Sequence, residues 1–476
     1  MVPQQRPFSR LSKFFLMHFC DQFVYEEHVR ELTTRPNDKS PLRIPRWSSA
    51  GLSAATGRQR AINSVLSADD TPPTLMVDND ARGPGFSAGR RLLSTLGRRS
   101  APVVVVEPYL KCSRSREVAG ALKLRRIARW GSTPTVAMPG GETDLSRRFS
   151  LAADLARGSD QYSLVKRAIA LTAPIELVEK HHELNTNCAR QHETRTGIIY
   201  TANAYQSSPS FRIWAEQCRE RGARLVTHQH GGGYGIDRFH FGEEFDVSVS
   251  DTFYSWGWDE AEDGTRVRQL PTAWPDRYSG QPSSEYLLMS LPVTTHMYRL
   301  QSFLLPSHVS EAIDQTVTMI RGLAASTRLR VRIHQGDQFP LGRVQDCRAT
   351  LLTDDLDESG TVAASRARLV IHNYLSTAWL ETLAMNVPTI CFFNPEMYAP
   401  REAARPYVDA LARVGVIHHS GADAAKFVNQ LNGNPDAWWN SSEVQEARQA
   451  FVARYANFSD DWLQAWSEEF ERLLAE

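Results

Sequence analysis

The run from Gly197 to Gly235 constrains this chain more than any other stretch. Gly197-Ile-Ile-Tyr-Thr201 is rich in β-branched and aromatic residues and reads as a strand. Residues 209–222 follow as a helix: Phe211, Trp214, Ala215 and Cys218 recur at three- and four-residue steps, and Gly222 closes the run. Arg224–Thr227 is the next strand. Strand, helix and strand with short loops form a βαβ unit, which requires a parallel sheet covered by helices. The second strand runs into His228-Gln229-His230 and into glycines at 231, 232, 233 and 235. Glycine serves where a backbone takes positive φ or approaches a ligand closely. Two imidazoles at i and i+2 of an extended chain point to one side. The reading is a strand whose carboxyl end presents histidine to a backbone-lined crevice, where open α/β sheets bind ligands. The plainer alternative is a glycine turn with two hydrogen-bonded histidines.

The same alternation continues on both sides. Residues 1–65 lack periodicity and read as an irregular lead-in. Thr74–Val77 and Val103–Val106, the latter ending at Glu107-Pro108, are strands; 114–129 and 148–192 are helical in character. A polar connector carries the chain from Gly235 to Ser250-Asp251, which precedes Phe253-Tyr-Ser-Trp-Gly-Trp258. Residues 259–284 are polar and rich in proline and glycine, and they mark a domain boundary. Beyond it a second series starts afresh. Strands are expected at 286–291, 329–333, 367–371 and 388–393, with helices at 308–323, 377–385, 404–413 and 460–475. The chain thus divides into the lead-in, an amino-terminal α/β domain over 66–270, a linker over 271–284 and a carboxy-terminal α/β domain over 285–476. The last helix, 460–475, is placed to pack back on the first domain. Two α/β halves leave a central cleft between them, where ligand sites form.

A length of 476 residues fits two domains rather than one core. Lysine plus arginine and aspartate plus glutamate each number 54, so the chain has no net charge and no chain-wide basic surface for nucleic acid. Cys20, Cys112, Cys188, Cys218, Cys347 and Cys391 show no CxxC spacing and read as free thiols of a reducing compartment. Phe14-Phe-Leu-Met17 is too short to span a bilayer and is followed by no small-residue cleavage site. The expectation is a soluble cytoplasmic protein, with peripheral association at the inner face of the cytoplasmic membrane compatible with it.

The second half carries chemistry of its own. In Ile371-His-Asn-Tyr-Leu-Ser-Thr377, a strand ends, a short loop follows, and Ser376-Thr377 opens a helix. The amino terminus of a helix has unpaired N–H groups and a partial positive charge, which suit phosphate. Glu381 lies one turn deeper, where a carboxylate can accept from ribose hydroxyls. An ordinary serine cap and a solvent-facing glutamate fit the spacing equally well. Arg330, Arg332 and His334 share one face of the 329–333 strand, and arginine forks suit a diphosphate. A solvated basic edge is the alternative, chiefly for Arg330.

Three blocks together carry a resemblance: His-Gln-His-Gly-Gly-Gly-Tyr-Gly at 228–235, Ser250-Asp251 with Trp256-Gly-Trp258, and His372-Asn-Tyr-Leu-Ser-Thr-x-x-x-Glu381. They resemble a family of transferases encoded with bacterial surface-carbohydrate (lipopolysaccharide and capsule) genes and marked by a Gln-His-Gly-Gly-x-Tyr-Gly block. More distantly they are similar to capsule Kdo transferases and CDP-glycerol glycerophosphotransferases. The match covers about residues 197–400 and continues more loosely to the end. It implies a GT-B glycosyltransferase-like fold: two Rossmann-like domains with parallel sheets facing a central cleft. It further implies a nucleotide-activated donor on the carboxy-terminal domain, a carbohydrate or lipid-linked acceptor, and no obligatory metal. Gln229, His230, Gly231, Gly232, Tyr234 and Gly235 match the first block; Ser376, Thr377 and Glu381 match the donor-site pattern. Arg332 and His334 fall where an Arg-x-His strand end precedes that site.

Glycosyl transfer needs the reactants positioned, the leaving phosphate stabilised and a base near the acceptor hydroxyl. His230 is the candidate base, since imidazole titrates near neutral pH, with Glu244 or Asp251 to orient it or act instead. Arg332, His334, Ser376 and Thr377 would hold phosphate and Glu381 ribose. His228, Gln229, Gly231, Gly232, Tyr234 and Asn373 would line the substrate cleft. Three other readings compete. His228-x-His230 with His240 could ligate zinc in a hydrolase. Val77-Asp78-Asn79-Asp80 could be the metal-binding Asp-x-Asp of a GT-A-type transferase, although the same residues make a turn. A non-catalytic nucleotide-sugar-binding protein is the third.

Overall fold

The computed structural model describes residues 102–110, 128–131, 133–134, 136, 141–155, 161–173, 175, 177–192, 195–261, 267–278, 280, 283–289, 306–333, 352–353 and 358–476. The strand expected at 74–77, the Asp-x-Asp at 78–80 and His334 lie outside these residues.

Twelve strands occur among the described residues: β1 Val103–Val106, β2 Ala128–Trp130, β3 Ile198–Thr201, β4 Arg224–His228, β5 Thr252–Ser255, β6 Arg268–Gln269, β7 Tyr286–Met289, β8 Leu329–Arg332, β9 Leu352–Thr353, β10 Leu369–His372, β11 Thr389–Phe392 and β12 Ile417–His418. They form two sheets, in the orders β2-β1-β3-β4-β5-β6 and β12-β11-β10-β7-β8-β9. Every pairing is parallel. The fold is therefore α/β with two Rossmann-like units, as the βαβ pattern predicts. The second sheet has the 3-2-1-4-5-6 order of dinucleotide-binding folds, and the first has the flavodoxin-like 2-1-3-4-5 order with one added strand. In such sheets the strand order reverses at one point, and the crevice opens there beyond the carboxyl ends. These switch points lie between β1 and β3 and between β7 and β10.

Residue alternation sets the two faces of the first sheet. Val104, Val106, Ile199 and Leu225 pack against helices Pro209–Glu220 and Phe241–Val249. Val103, Val105, Ile198, Tyr200 and Val226 face the carboxy-terminal helix Trp462–Ala475 through Trp466 and Phe470. That helix belongs by sequence to the second half yet completes the core of the first. In the second sheet Leu288, Ile371 and Phe392 pack under helices Pro306–Gly322 and Gly421–Gln430.

The helix Pro209–Glu220 forms as its ends dictate. Ser208 caps it by accepting from Phe211 N, Pro209 sits in the first turn, and Gly222 turns the chain away at φ +97°. Two expectations need correction. Residues 128–130, at the end of the expected 114–129 helix, are strand β2, because Ala128–Trp130 pair with Val103–Val105. The supposed polar connector before Asp251 contains a nine-residue helix, Phe241–Val249, capped by the His240 side chain. It is the β4–β5 crossover, and Phe241, Phe245 and Val249 give it an apolar stripe. No described helix is long and apolar enough to cross a membrane.

The two halves meet in one apolar cluster. Tyr234, Phe253, Trp256 and Trp258 of the first half pack with Trp379, Leu380, Tyr398 and Phe451 of the second. A backbone seam reinforces it: Arg238 N donates to Ala399 O and Arg401 N to Ile236 O, at 2.9 and 2.8 Å.

Candidate active site at the apposed carboxyl edges

β4 ends at His228 and β10 ends at His372, and the loops leaving these two ends touch. Ser376 opens the helix Thr377–Ala384, its hydroxyl accepting from Trp379 N at 3.2 Å. The Thr377 hydroxyl in turn accepts from Gly232 N at 2.9 Å. A Cβ on Gly232 would lie 2.6 Å from the carbonyl carbon of Ser376 and 2.7 Å from Thr377 N. Gly232 is glycine because the opposing helix start leaves no room for a side chain. A Cβ on Gly231 would lie 3.2 Å from the Thr377 hydroxyl, a tight approach that this side chain can relieve by shifting. The fold thus brings the glycine loop and the amino terminus of the Thr377–Ala384 helix together, and does so at the switch point of the second sheet.

His230 stands on this loop with its side chain 16 % exposed. Its Nδ1 lies 3.2 Å from the Tyr234 hydroxyl and 3.8 Å from Oδ2 of Asp246. Tyr234 donates to that same Oδ2 at 2.9 Å, and the Gln206 amide donates to it as well, also at 2.9 Å. A hydroxyl has one proton. With that proton given to Asp246, the Tyr234 oxygen accepts from His230, which places the imidazole proton on Nδ1 and leaves Nε2 as the basic nitrogen. Asp246 is 1 % exposed and Tyr234 2 %. Hydrogen bonds from Tyr234 and Gln206 to one buried carboxylate oxygen fix its position, and with it that of the Tyr234 hydroxyl. The Tyr109 ring, from the loop after β1, meets His230 edge-on at 5.8 Å.

The second half also clamps the loop. Arg401 donates to both oxygens of Glu243, at 2.6 and 2.5 Å, with both side chains almost fully buried. Glu243 in turn accepts from Gly235 N at 2.7 Å. Gly235 sits at φ +73°, and Trp258 leaves no space for a side chain there. Asp237 lies beside this pair, and burial pushes its carboxyl up to about 7.

Several sequence-based assignments are corrected by this geometry. His228 does not share the cleft with His230: it is 1 % exposed, one ring nitrogen lies 2.5 Å from the Tyr200 hydroxyl and the other 3.1 Å from Leu270 O. The extended chain ends at His228, so the i, i+2 rule no longer holds at His230. Burial lowers the His228 imidazole to about 3, so it stays neutral. Gln229 is equally buried; its carbonyl accepts from Trp256 N and Trp258 Nε1, which ties the loop to β5 instead of lining a cleft. Asp251 lies at the wrong edge. It accepts from Leu225 N at 2.8 Å and from Arg219, at the amino ends of the strands. Glu244 points to solvent from the Phe241–Val249 helix, and Asp246, one half-turn on, is the carboxylate that reaches His230. Asn373 is buried and donates to the Thr316 hydroxyl at 2.9 Å, holding β10 to the Pro306–Gly322 helix.

The other residues expected on the donor side belong to the second half. Glu381 is 3 % exposed on the inward face of its helix, and not open to solvent. Arg332 ends β8 and donates to Glu358 O. One strand, β7, separates β8 from β10, so Arg332 stands roughly 10 Å along the edge from His372. Arg330 is held by Glu285 at 2.7 Å. Sequence reasoning missed Asp246, Glu243 and Arg401. The apolar spacing of residues 241–249 was the available signal for the first two, since it makes any acidic residue on that face a buried one.

A family model described as LIC12162 family transferase matches residues 86–470, and the chain belongs to that family. No curated protein matches the sequence. Among solved structures the chain is similar to a glycosyltransferase from Rickettsia africae, with 10 % identity, 79 % of this chain and 99 % of that one covered, and a TM-score of 0.40. It is also similar to the glycosyltransferase SnogD from Streptomyces nogalater, with 13 % identity, 79 % and 99 % coverage, and a TM-score of 0.36.

Proposed function

We propose that this transferase moves a sugar or related group from a nucleotide-activated donor to a hydroxyl of a cell-surface polysaccharide or glycolipid precursor. One observation carries the proposal: the Gly232–Thr377 contact, which sets a basic imidazole beside the helix terminus of the opposite half. His230 Nε2 takes the proton of the acceptor hydroxyl as it attacks, and Asp246 steadies the imidazolium through Tyr234. The N-terminal amides of the Thr377–Ala384 helix, with the Ser376 and Thr377 hydroxyls, receive the developing charge on the leaving phosphate. Arg332, at the end of β8, flanks the diphosphate. This arrangement stabilises the leaving group without a metal. The surface-carbohydrate acceptor is inferred from the Gln-His-Gly-Gly-x-Tyr-Gly block, and such an acceptor accords with action at the inner face of the cytoplasmic membrane.

A thermal-shift series with CMP, CDP, UDP and GDP tests the donor half, since a ligand bound to the folded state raises apparent stability. At least one is expected to raise Tm; four null results would defeat the reading. The zinc-hydrolase alternative is disfavoured by His228, whose two ring nitrogens are both engaged in the core, and by His240, whose Nδ1 caps a helix by accepting from Glu243 N.

A further inference from the structure

The first sheet has a switch point of its own, between β1 and β3, which the donor reading does not use. Ala202 N donates to Glu107 O at 3.1 Å, so the two strand ends run level into the crevice. Three features mark it. Glu107 and Tyr109, on either side of Pro108, adopt φ +44° and +55°, a region that side-chain-bearing residues seldom enter. Strain of this kind persists where the surroundings impose it, and it gathers at ligand sites. Second, Asn203 precedes the short helix Ala204–Ser207 in the capping position, yet its side chain makes no capping bond. Thr201 caps instead, accepting from Ala204 N at 3.0 Å. The Asn203 Oδ1 is buried with no hydrogen-bond partner. Buried polar atoms are nearly always paired, so an unpaired one at a crevice points to a ligand that completes it. Third, the Tyr109 ring meets the His230 imidazole edge-on, so the loop after β1 reaches the candidate base.

We propose that Glu107 and Asn203 bind the hydroxyl groups of an uncharged, polyhydroxylated acceptor and present one of them to His230. The inference rests on the transferase reading and names its acceptor class. A carboxylate accepts hydrogen bonds only, and a carboxamide both accepts and donates, so together they match neighbouring hydroxyls. The Glu107 carboxylate also repels an acceptor that is anionic near its reacting end. Thr133 already donates to Glu107 and fixes one of its oxygens.

Saturation-transfer NMR on the full chain tests this with four methyl glycosides (gluco, manno, galacto and rhamno), and with glucuronate and glycerol 3-phosphate as anionic comparators. At least one neutral glycoside is expected to bind the wild type, and to bind Glu107→Gln and Asn203→Leu at least tenfold more weakly. Nucleotide thermal shifts should be unchanged in both variants. Asn203→Leu should melt no lower than wild type, because it removes a polar atom that the folded chain leaves unpaired; a merely structural asparagine would lower it. Equal glycoside binding by wild type and variants overturns the assignment, as does preference for the anionic ligands. A chain that binds nucleotide but no glycoside also overturns it. Failure of every nucleotide overturns the parent reading instead.

Discussion

Gly232→Ala is the sharpest probe of the contact between the two halves. The added methyl would sit 2.6 Å from the carbonyl carbon of Ser376, and 2.7 Å from both Ser376 O and Thr377 N. All three are backbone atoms, so no rotamer change relieves the clash, and the loop must withdraw by roughly 0.8 Å to regain ordinary contact. Overpacking of this kind costs about 1–3 kcal/mol. Loss of the 2.9 Å bond from Gly232 N to Thr377 adds about 1 kcal/mol, partly offset by about 0.4–1 kcal/mol from a stiffer unfolded chain. The net expectation is a destabilisation of about 2 kcal/mol, read by urea unfolding, with nucleotide affinity falling alongside. Gly231→Ala is the control: its methyl meets only the Thr377 hydroxyl, at 3.2 Å, so its effect should stay under about 1 kcal/mol. Equal stability and nucleotide affinity for Gly232→Ala and wild type would refute the contact.

His230→Ala should lower turnover about 10²–10⁴-fold while leaving nucleotide binding intact, as expected when a general base is removed; intact turnover would dismiss the base assignment. Arg401→Met leaves Glu243 buried without its counter-charge and should cost about 3–5 kcal/mol in an unfolding titration; a cost below 1 kcal/mol would show the seam to be incidental. Asp237 keeps its proton in the folded chain up to about pH 7, whereas a free carboxyl loses it near 3.8. The folded state therefore binds more protons in between, and this residue's contribution falls as pH rises from about 4 to 7, then stays level. Asp237→Asn should match wild type at pH 4 and exceed its Tm at pH 8, by a margin that would be the same at both pH values if Asp237 did not titrate there.

The fold was readable because its signals are local. Val103–Val106, Ile198–Thr201 and Leu369–His372 are short β-branched runs, and Phe211, Trp214 and Cys218 mark a helix unaided. Both halves of the candidate site were also legible as motifs. That they face each other across the cleft follows from the two-domain pattern, but the direct bond between Gly232 and Thr377 does not, because the two are 145 residues apart. Three of the corrected assignments trace to proximity in sequence. His228, Gln229 and Asp251 were placed in the cleft by proximity in sequence, but in a parallel sheet a strand's first and last residues lie at opposite edges. Asp251 precedes its strand, and His228 is still inside one. Conversely Glu243 and Asp246 read as a polar stretch; their burial depends on Arg401, Gly235 N, Tyr234 and Gln206, partners supplied by other elements.

On the proposed function, the glycine loop and the Thr377 helix start form one nucleotide-dependent site. Isothermal titration of the nucleotide that gives the largest thermal shift, into wild type, Thr377→Val and Gly232→Ala, tests it most directly. The wild type should bind, and both variants should bind at least tenfold more weakly, although the two residues belong to different halves. Undiminished affinity in Gly232→Ala, with the loss confined to Thr377→Val, would contradict it.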